Sequence, residues 1–187
     1  TARQLTPKRV GLGAVEEQLN IREWSSVWKL LEGAELCDLS DVLTSLRLIK
    51  SAAEQELLKK AASIVEQSLA LFRRALSAGK KEYEIAAVAE REARRQGVED
   101  FRLLLARSSE PDVGLRPPDG SPIQKGELLP VAAAASYQRY WAEIGQTFSL
   151  GRPSEELWKG HALAKGLFRK LVDSGTPASF FTTVVMV

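Results

Sequence analysis

Two side chains stand alone in their chemistry, Cys37 and His161. A cysteine nucleophile needs a neighbouring base or cation to raise its thiolate fraction, and no histidine lies near Cys37 in sequence. Ala34-Glu35-Leu36-Cys37-Asp38 reads as a short buried strand, and the thiol as an inert core group. A single cysteine also excludes an internal disulfide and a multi-cysteine zinc site. His161, within Trp158-Lys159-Gly160-His161-Ala162, reads as a surface or interface histidine. Tyr137, Tyr140, Trp141 and Phe148 are of the type that stacks on ligands, but their spacing favours packing of a strand face. Trp24, Trp28 and Trp158 read as helix-face core or dimer contacts. Arg73, Arg74, Lys80 and Lys81 form a basic stretch, which Glu82 and Glu84 dilute into a solvated face. Hydrolysis by a metal pair would need bridging and terminal carboxylates with a histidine, and no cluster of such donors is evident.

Arg9 to Leu12 is a short strand, and the apolar spacing of Ile21, Trp24, Val27, Trp28 and Leu31 gives one helix face, stopped by Gly33. A strand at 34–37 and a short helix from Asp38 or Ser40 through Leu46 follow. Ser51-Ala52-Ala53-Glu54 is a capping box that starts the clearest helix. Its stripe is Leu58, Ala61, Val65, Ser68, Phe72 and Leu76, and Gly79 is expected to end it. A second helix spans Glu82 to Gln96, with Ile85, Ala86, Ala89 and Ala93 inward. Phe101 to Ala106 is a strand. Ser108 to Gln124, rich in Pro, Gly, Ser and Asp, is a loop. Leu128 to Ala135 and Arg139 to Phe148 form a strand pair with a turn near 136–139. Glu155 to Asp173 is a third helix, and a further one begins near Ala178. This order gives an α+β fold, helices packed on an antiparallel sheet.

The length of 187 residues, with 44% hydrophobic and 27% charged residues, suits one globular domain or one domain with part of another. A formal net charge of +2 is too small for a nucleic-acid or polybasic membrane protein. No apolar run reaches about 20 residues, so no membrane span is expected, and the single cysteine suits the cytoplasm. The chain starts on Thr1 and stops on the apolar run Phe180 to Val187, the pattern expected of a fragment or truncated copy.

Four stretches resemble, in order and in register, the family of Xaa-Pro aminopeptidase, prolidase, creatinase and methionine aminopeptidase. Leu46 to Glu54 (LRLIKSAAE) is similar to its LRxIKSxxE junction, and Ala78 to Ala86 (AGKKEYEIA) to its pGxtExEiA link. Gly126-Glu127-Leu128-Leu129 resembles GDxV, and Tyr140 to Phe148 (YWAEIGQTF) resembles GYxxDxxRTF. The resemblance covers essentially the whole chain. It implies part of a pita-bread domain over residues 47–187, preceded over residues 1–46 by the end of a mixed α/β, creatinase N-like domain. It also implies that the chain stops before the family's later histidine and two glutamates.

The same resemblance places the family's first metal-binding aspartate at Ala132 and its second at Glu143, with its arginine at Gln146. A methyl group cannot coordinate a cation, and glutamate moves the carboxylate by an added methylene. The substrate-side histidine falls near Leu115-Arg116-Pro117, where there is none. Glu143 reads as a remnant acid or polar contact between the strands, or as a strand residue facing solvent or pairing with Arg139. Creatinase-like members also lack metal ligands, so the substitution alone does not make the protein inert.

The implied function is that of an Xaa-Pro aminopeptidase/prolidase-like protein without dinuclear metal ligands, inactive as a peptidase in this form. The alternatives are a metal-independent creatinase-like amide or guanidino hydrolase, and a non-enzymatic binding scaffold. No cofactor is expected. Binding residues are Glu143, Tyr140 and Arg116, and the ligand is a small peptide or amide. The partners exclude nucleic acid and membrane, and a homodimer is the family default.

Overall fold

The computed structural model describes residues 8–13, 19–109, 113–152, 154–174 and 183–184. The chain divides into two compact units at Lys50/Ser51. In the first, β1 (Arg9–Leu12) pairs in parallel with β2 (Glu35–Asp38), and α1 (Ile21–Leu30) lies between them in sequence. Asn20 caps α1 by accepting from the Arg22 and Glu23 N–H groups, while Glu23 reaches back to the Asn20 N–H. Trp24 and Trp28 lie 5.6 Å apart on that helix, and Trp28 is exposed within the unit. α2 (Ser40–Leu48) ends the unit. Cys37 is half-buried, not a core thiol, because β2 belongs to a two-stranded sheet. The Arg9 guanidinium donates to its sulfur at 3.4 Å.

The second unit is built on α3 (Ala52–Ala75) and α4 (Glu82–Arg95), laid against one face of the sheet β3 (Asp100–Leu105), β4 (Leu128–Tyr137), β5 (Tyr140–Ser149) and β6 (Thr183–Val184). The Ser51–Glu54 capping box forms as the sequence requires: the Glu54 N–H donates to Ser51 Oγ, and the Ser51 N–H to Glu54. The helix buries Ala61, Ile64, Val65, Ser68, Leu69 and Phe72. It ends at Ala75, four residues before Gly79, because Leu76 turns extended. Gly79, at φ +85°, instead makes the tight corner that lets its N–H reach the Ile123 carbonyl at 2.8 Å.

β3, β4 and β5 are antiparallel neighbours, and β6 pairs with β5 in parallel. With a side-chain period of two, Leu129, Val131, Ala133 and Ala135 of β4 face the helices. Ile144 and Phe148 of β5 and Phe101, Leu103 and Leu105 of β3 join them in one core. Phe72 packs on Phe148 with ring centroids 5.2 Å apart. The β4–β5 hairpin closes on two residues, Gln138 and Arg139, both left-handed at φ 47° and 70°. α5 (Glu155–Ser174) follows, with Trp158 exposed and stacked on His161 at 5.8 Å. The helix expected near Ala178 falls outside the described residues. Among the described residues no helix is long and apolar enough to cross a membrane.

Candidate functional site

The face of the sheet turned away from the helices carries the chemistry. Its rows follow from the register: Arg102–Ala134–Glu143 in one, Leu104–Ala132–Gly145 in the next, Asp100–Ser136–Trp141 on the other side. Ala132, Ala134 and Gly145 supply almost no bulk at the centre. The result is a trough that forms part of a cavity of about 1010 Å³. Arg102, Leu104, Ala132, Ala134, Trp141 and Glu143 line it from the open face, and Leu58, Lys59, Ala62 and Glu66 of α3 line the rest of it. The Arg102 guanidinium sits over the Trp141 ring at 5.6 Å from its centroid, a cation–π contact that fixes one wall.

Glu143 therefore stands in the cavity, exposed, and opposite Ala134. Its register partner is not Arg139, which belongs to the hairpin turn. Tyr140 does not line the cavity: its hydroxyl donates to Glu54 Oε1 at 3.0 Å, tying the start of β5 to the first turn of α3. Arg116 lies in the loop between β3 and β4, where its N–H and carbonyl both pair with Leu105. Its guanidinium grips Glu82 at 2.7 and 3.0 Å. The structure thus brings Glu143 into the cavity and directs the other two side chains into structural bonds. Arg102 is a charged cavity residue not singled out from sequence, as are Lys59 and Glu66. Its place in the alternation Phe101-Arg102-Leu103, polar between two core residues, is the signal that marks it.

A second polar group is buried behind the loop. Glu82 is fully buried, contrary to the solvated face expected for it, because the loop after β3 folds over the start of α4. Besides Arg116 it accepts the Asp119 N–H at 2.9 Å, and Arg107 Nη1 lies 3.7 Å away. Arg107 also donates to Glu127 Oε1 from Nε at 2.9 Å and Nη2 at 2.6 Å. Ser109 Oγ and the Gln124 N–H complete the shell of Glu127 at 2.6 and 2.7 Å. Burial pushes the Glu127 carboxyl up, but the bonds from Ser109, Gln124 and Arg107 prevail and hold it below the ordinary glutamate range.

The family resemblance implies two divalent cations and places the first two of their carboxylates at positions 132 and 143. Position 132 is diagonal to position 143 on the open face, the arrangement two metal-sharing carboxylates would need, and it holds alanine. The other carboxylate of the cavity, Glu66, sits on α3. Among the described residues no three His, Cys, Asp or Glu side chains are grouped to hold a metal ion.

Comparison with known proteins agrees with this architecture. Residues 56–179 match the model of metallopeptidase family M24. An Xaa-Pro dipeptidase of Pyrococcus horikoshii is 26% identical over 170 residues, covering 88% of this chain and 45% of that protein. An uncharacterized peptidase of Bacillus subtilis is 26% identical over 148 residues, covering 78% and 42%. Among solved structures, the prolidase from Pyrococcus horikoshii superimposes with a TM-score of 0.81 at 24% identity, over 91% of this chain and 49% of that one. The X-Pro aminopeptidase from Thermotoga maritima gives 0.79 at 22% identity, over 89% and 47%. The chain spans less than half the length of each of these proteins.

Proposed function

The chain belongs to metallopeptidase family M24, with the pita-bread fold its sequence motifs implied, and from that premise we propose an Xaa-Pro peptidase-like protein that builds no two-metal centre. Its cavity at Glu143 takes a small peptide or amide ligand without metal-dependent hydrolysis. One observation carries the reading: Ala132 occupies the place diagonal to Glu143 on the open face. Two divalent ions held close together need a carboxylate there to bridge or terminate them. Glu143 alone supplies one or two oxygens, too few for hard cations that take about six. The gap lies in the centre of the sheet, so residues beyond 187 would have to replace both the donor and its position. In this reading residues 1–46 end an N-terminal domain and residues 47–187 form the first half of the peptidase-like domain. A cytoplasmic homodimer is the setting that goes with it.

The test is metal content and hydrolysis of an Xaa-Pro dipeptide in one preparation. No stoichiometric manganese, cobalt or zinc and no cleavage is the expected result. Metal-dependent cleavage by the unmodified chain overturns the proposal. Cleavage of an amide with no metal bound would support a metal-independent hydrolase instead.

A further inference from the structure

A second groove, of about 550 Å³, lies between α3 and the helix-facing side of β5. Glu66, Leu69, Ala70 and Arg73 form its α3 wall, spaced i, i+3, i+4 and i+7 on one helix face, with Arg74 beside them. Ile144 and Gln146 of β5 form the other wall. Glu66 and Ile144 also line the larger cavity, but the open-face side chains Arg102, Trp141 and Glu143 do not reach this groove. Arg73 and Arg74 are exposed in the last turn of α3, where cations suit the negative end of the helix. That preference accounts for their charge but not for Gln146. This amide is half-buried on the same face of β5 as the core residues Ile144 and Phe148. A polar side chain placed there gains from a hydrogen-bond partner. Among the described residues, no hydrogen bond or ion pair engages the side chains of Arg73, Arg74 or Gln146. Three donor groups without protein partners thus line one groove, over an apolar floor of Leu69, Ala70 and Ile144.

We propose that this groove is a separate binding site for a monocarboxylate with an apolar body, its carboxylate held by Arg73, Arg74 and Gln146. Guanidinium presents a planar fork that matches a carboxylate, and the Gln146 amide supplies a further N–H donor. The body of the ligand covers Leu69, Ala70 and Ile144 and takes their remaining apolar surface out of water. Glu66 sets the charge of the ligand. With two arginines and one glutamate the groove carries a single net positive charge, which suits one carboxylate and repels a second. The inference does not rest on ligand binding at Glu143, since the donors of the two sites are different side chains.

The experiment is a nitrogen-15 chemical-shift titration of the whole chain with hexanoate, hexylammonium and inorganic phosphate at constant ionic strength. Hexanoate is expected to bind and to shift the side-chain signals of Arg73, Arg74 and Gln146. Hexylammonium lacks the anion and phosphate lacks the apolar body, so each is expected to bind at least about tenfold more weakly. Arg73→Gln and Arg74→Gln are each expected to weaken hexanoate about tenfold, the loss of one charge-assisted hydrogen bond. Gln146→Glu, which turns a donor into a repelling charge, is expected to abolish binding. Lys60→Gln removes the same charge from α3 outside the groove and is expected to leave the affinity unchanged. Arg73 and Arg74 are exposed, so unchanged melting curves confirm that those variants fold. Hexanoate that fails to bind, phosphate that binds as tightly as hexanoate, or equal losses in Lys60→Gln and Arg73→Gln each overturn the assignment.

Discussion

Glu82, at the first position of α4, and Arg116, 34 residues later, form a two-point ion pair at 2.7 and 3.0 Å around a carboxylate with no exposed surface. Arg107 and the Asp119 N–H complete its surroundings. Removing a charged member of such a buried network forfeits its hydrogen bonds while its partners stay largely buried, which is costlier than never having built the pair. Glu82→Ala is expected to lower the unfolding free energy by about 3–5 kcal/mol in urea denaturation. Arg116 keeps a fifth of its side chain in solvent, at 21%, so Arg116→Ala is expected to cost less, about 1–3 kcal/mol. Equal and small effects at both positions would remove the case for a buried network.

Glu127 gives the same network a pH dependence. Its folded carboxyl is held below the ordinary range, so the unfolded chain takes up the proton first as pH falls. The stability it contributes is fully present above the unfolded value of about 4.3 and is lost as pH falls through the lower folded value. Glu127→Gln lacks that ionisation. The stability gap between wild type and Glu127→Gln is expected to narrow between pH 7 and pH 3, measured by thermal unfolding along that series. A gap that is constant with pH would mean Glu127 is not linked to folding.

The hairpin of β4 and β5 turns on two non-glycine residues in left-handed conformation, Gln138 at φ 47° and Arg139 at φ 70°. Such a conformation costs an L-residue about 1–2 kcal/mol, partly offset here because the Arg139 N–H donates to Glu99 at 2.9 Å. Glycine relieves the strain and keeps that N–H, while its greater unfolded-state freedom returns part of the gain. Arg139→Gly is expected to raise stability by about 0.5–1 kcal/mol in the same denaturation assay. A loss of stability would show that the arginine side chain contributes more than the turn strain removes.

Local order was legible where the signal is local. The Ser51–Glu54 box fixes its own helix start, and the strand pair at 128–135 and 139–148 with its turn near 136–139 was readable from the run itself. The recognition of the family and of the α+β fold followed from motifs of this kind. The Glu82–Arg116 pair was not legible, because it depends on how the loop from 106 to 127 folds back, and no periodicity encodes that path. The early stop of α3 at Ala75 was hidden for a related reason. Gly79 was read as a helix end, whereas its N–H is committed to Ile123, 44 residues on, in the polar loop. Arg102 lies on β3, outside the two strands that carry the family motifs, so no motif marks it.

The absence of a carboxylate at position 132 can be reversed in one step, and the register says what should follow. Positions 132 and 143 are diagonal neighbours on adjacent strands, about 7–8 Å between backbones, within reach of two carboxylates that share one ion. Ala132 is partly exposed in the cavity and its neighbours on that face are Ala134 and Gly145, so an aspartate fits without repacking the core. Ala132→Asp is therefore expected to bind a single manganese ion weakly, seen as loss of free-ion paramagnetic resonance signal on titration, where the wild-type chain leaves that signal unchanged. Ala132→Asn, with the same shape and no charge, is expected to behave as wild type. Neither Ala132→Asp nor its combination with Glu143→Asp is expected to hydrolyse an Xaa-Pro dipeptide, since two carboxylates hold one ion and the reaction needs a pair. Manganese binding by the wild-type chain equal to that of Ala132→Asp would show that the cavity draws its donors from elsewhere, and the assignment of position 132 as the missing ligand would fall with it.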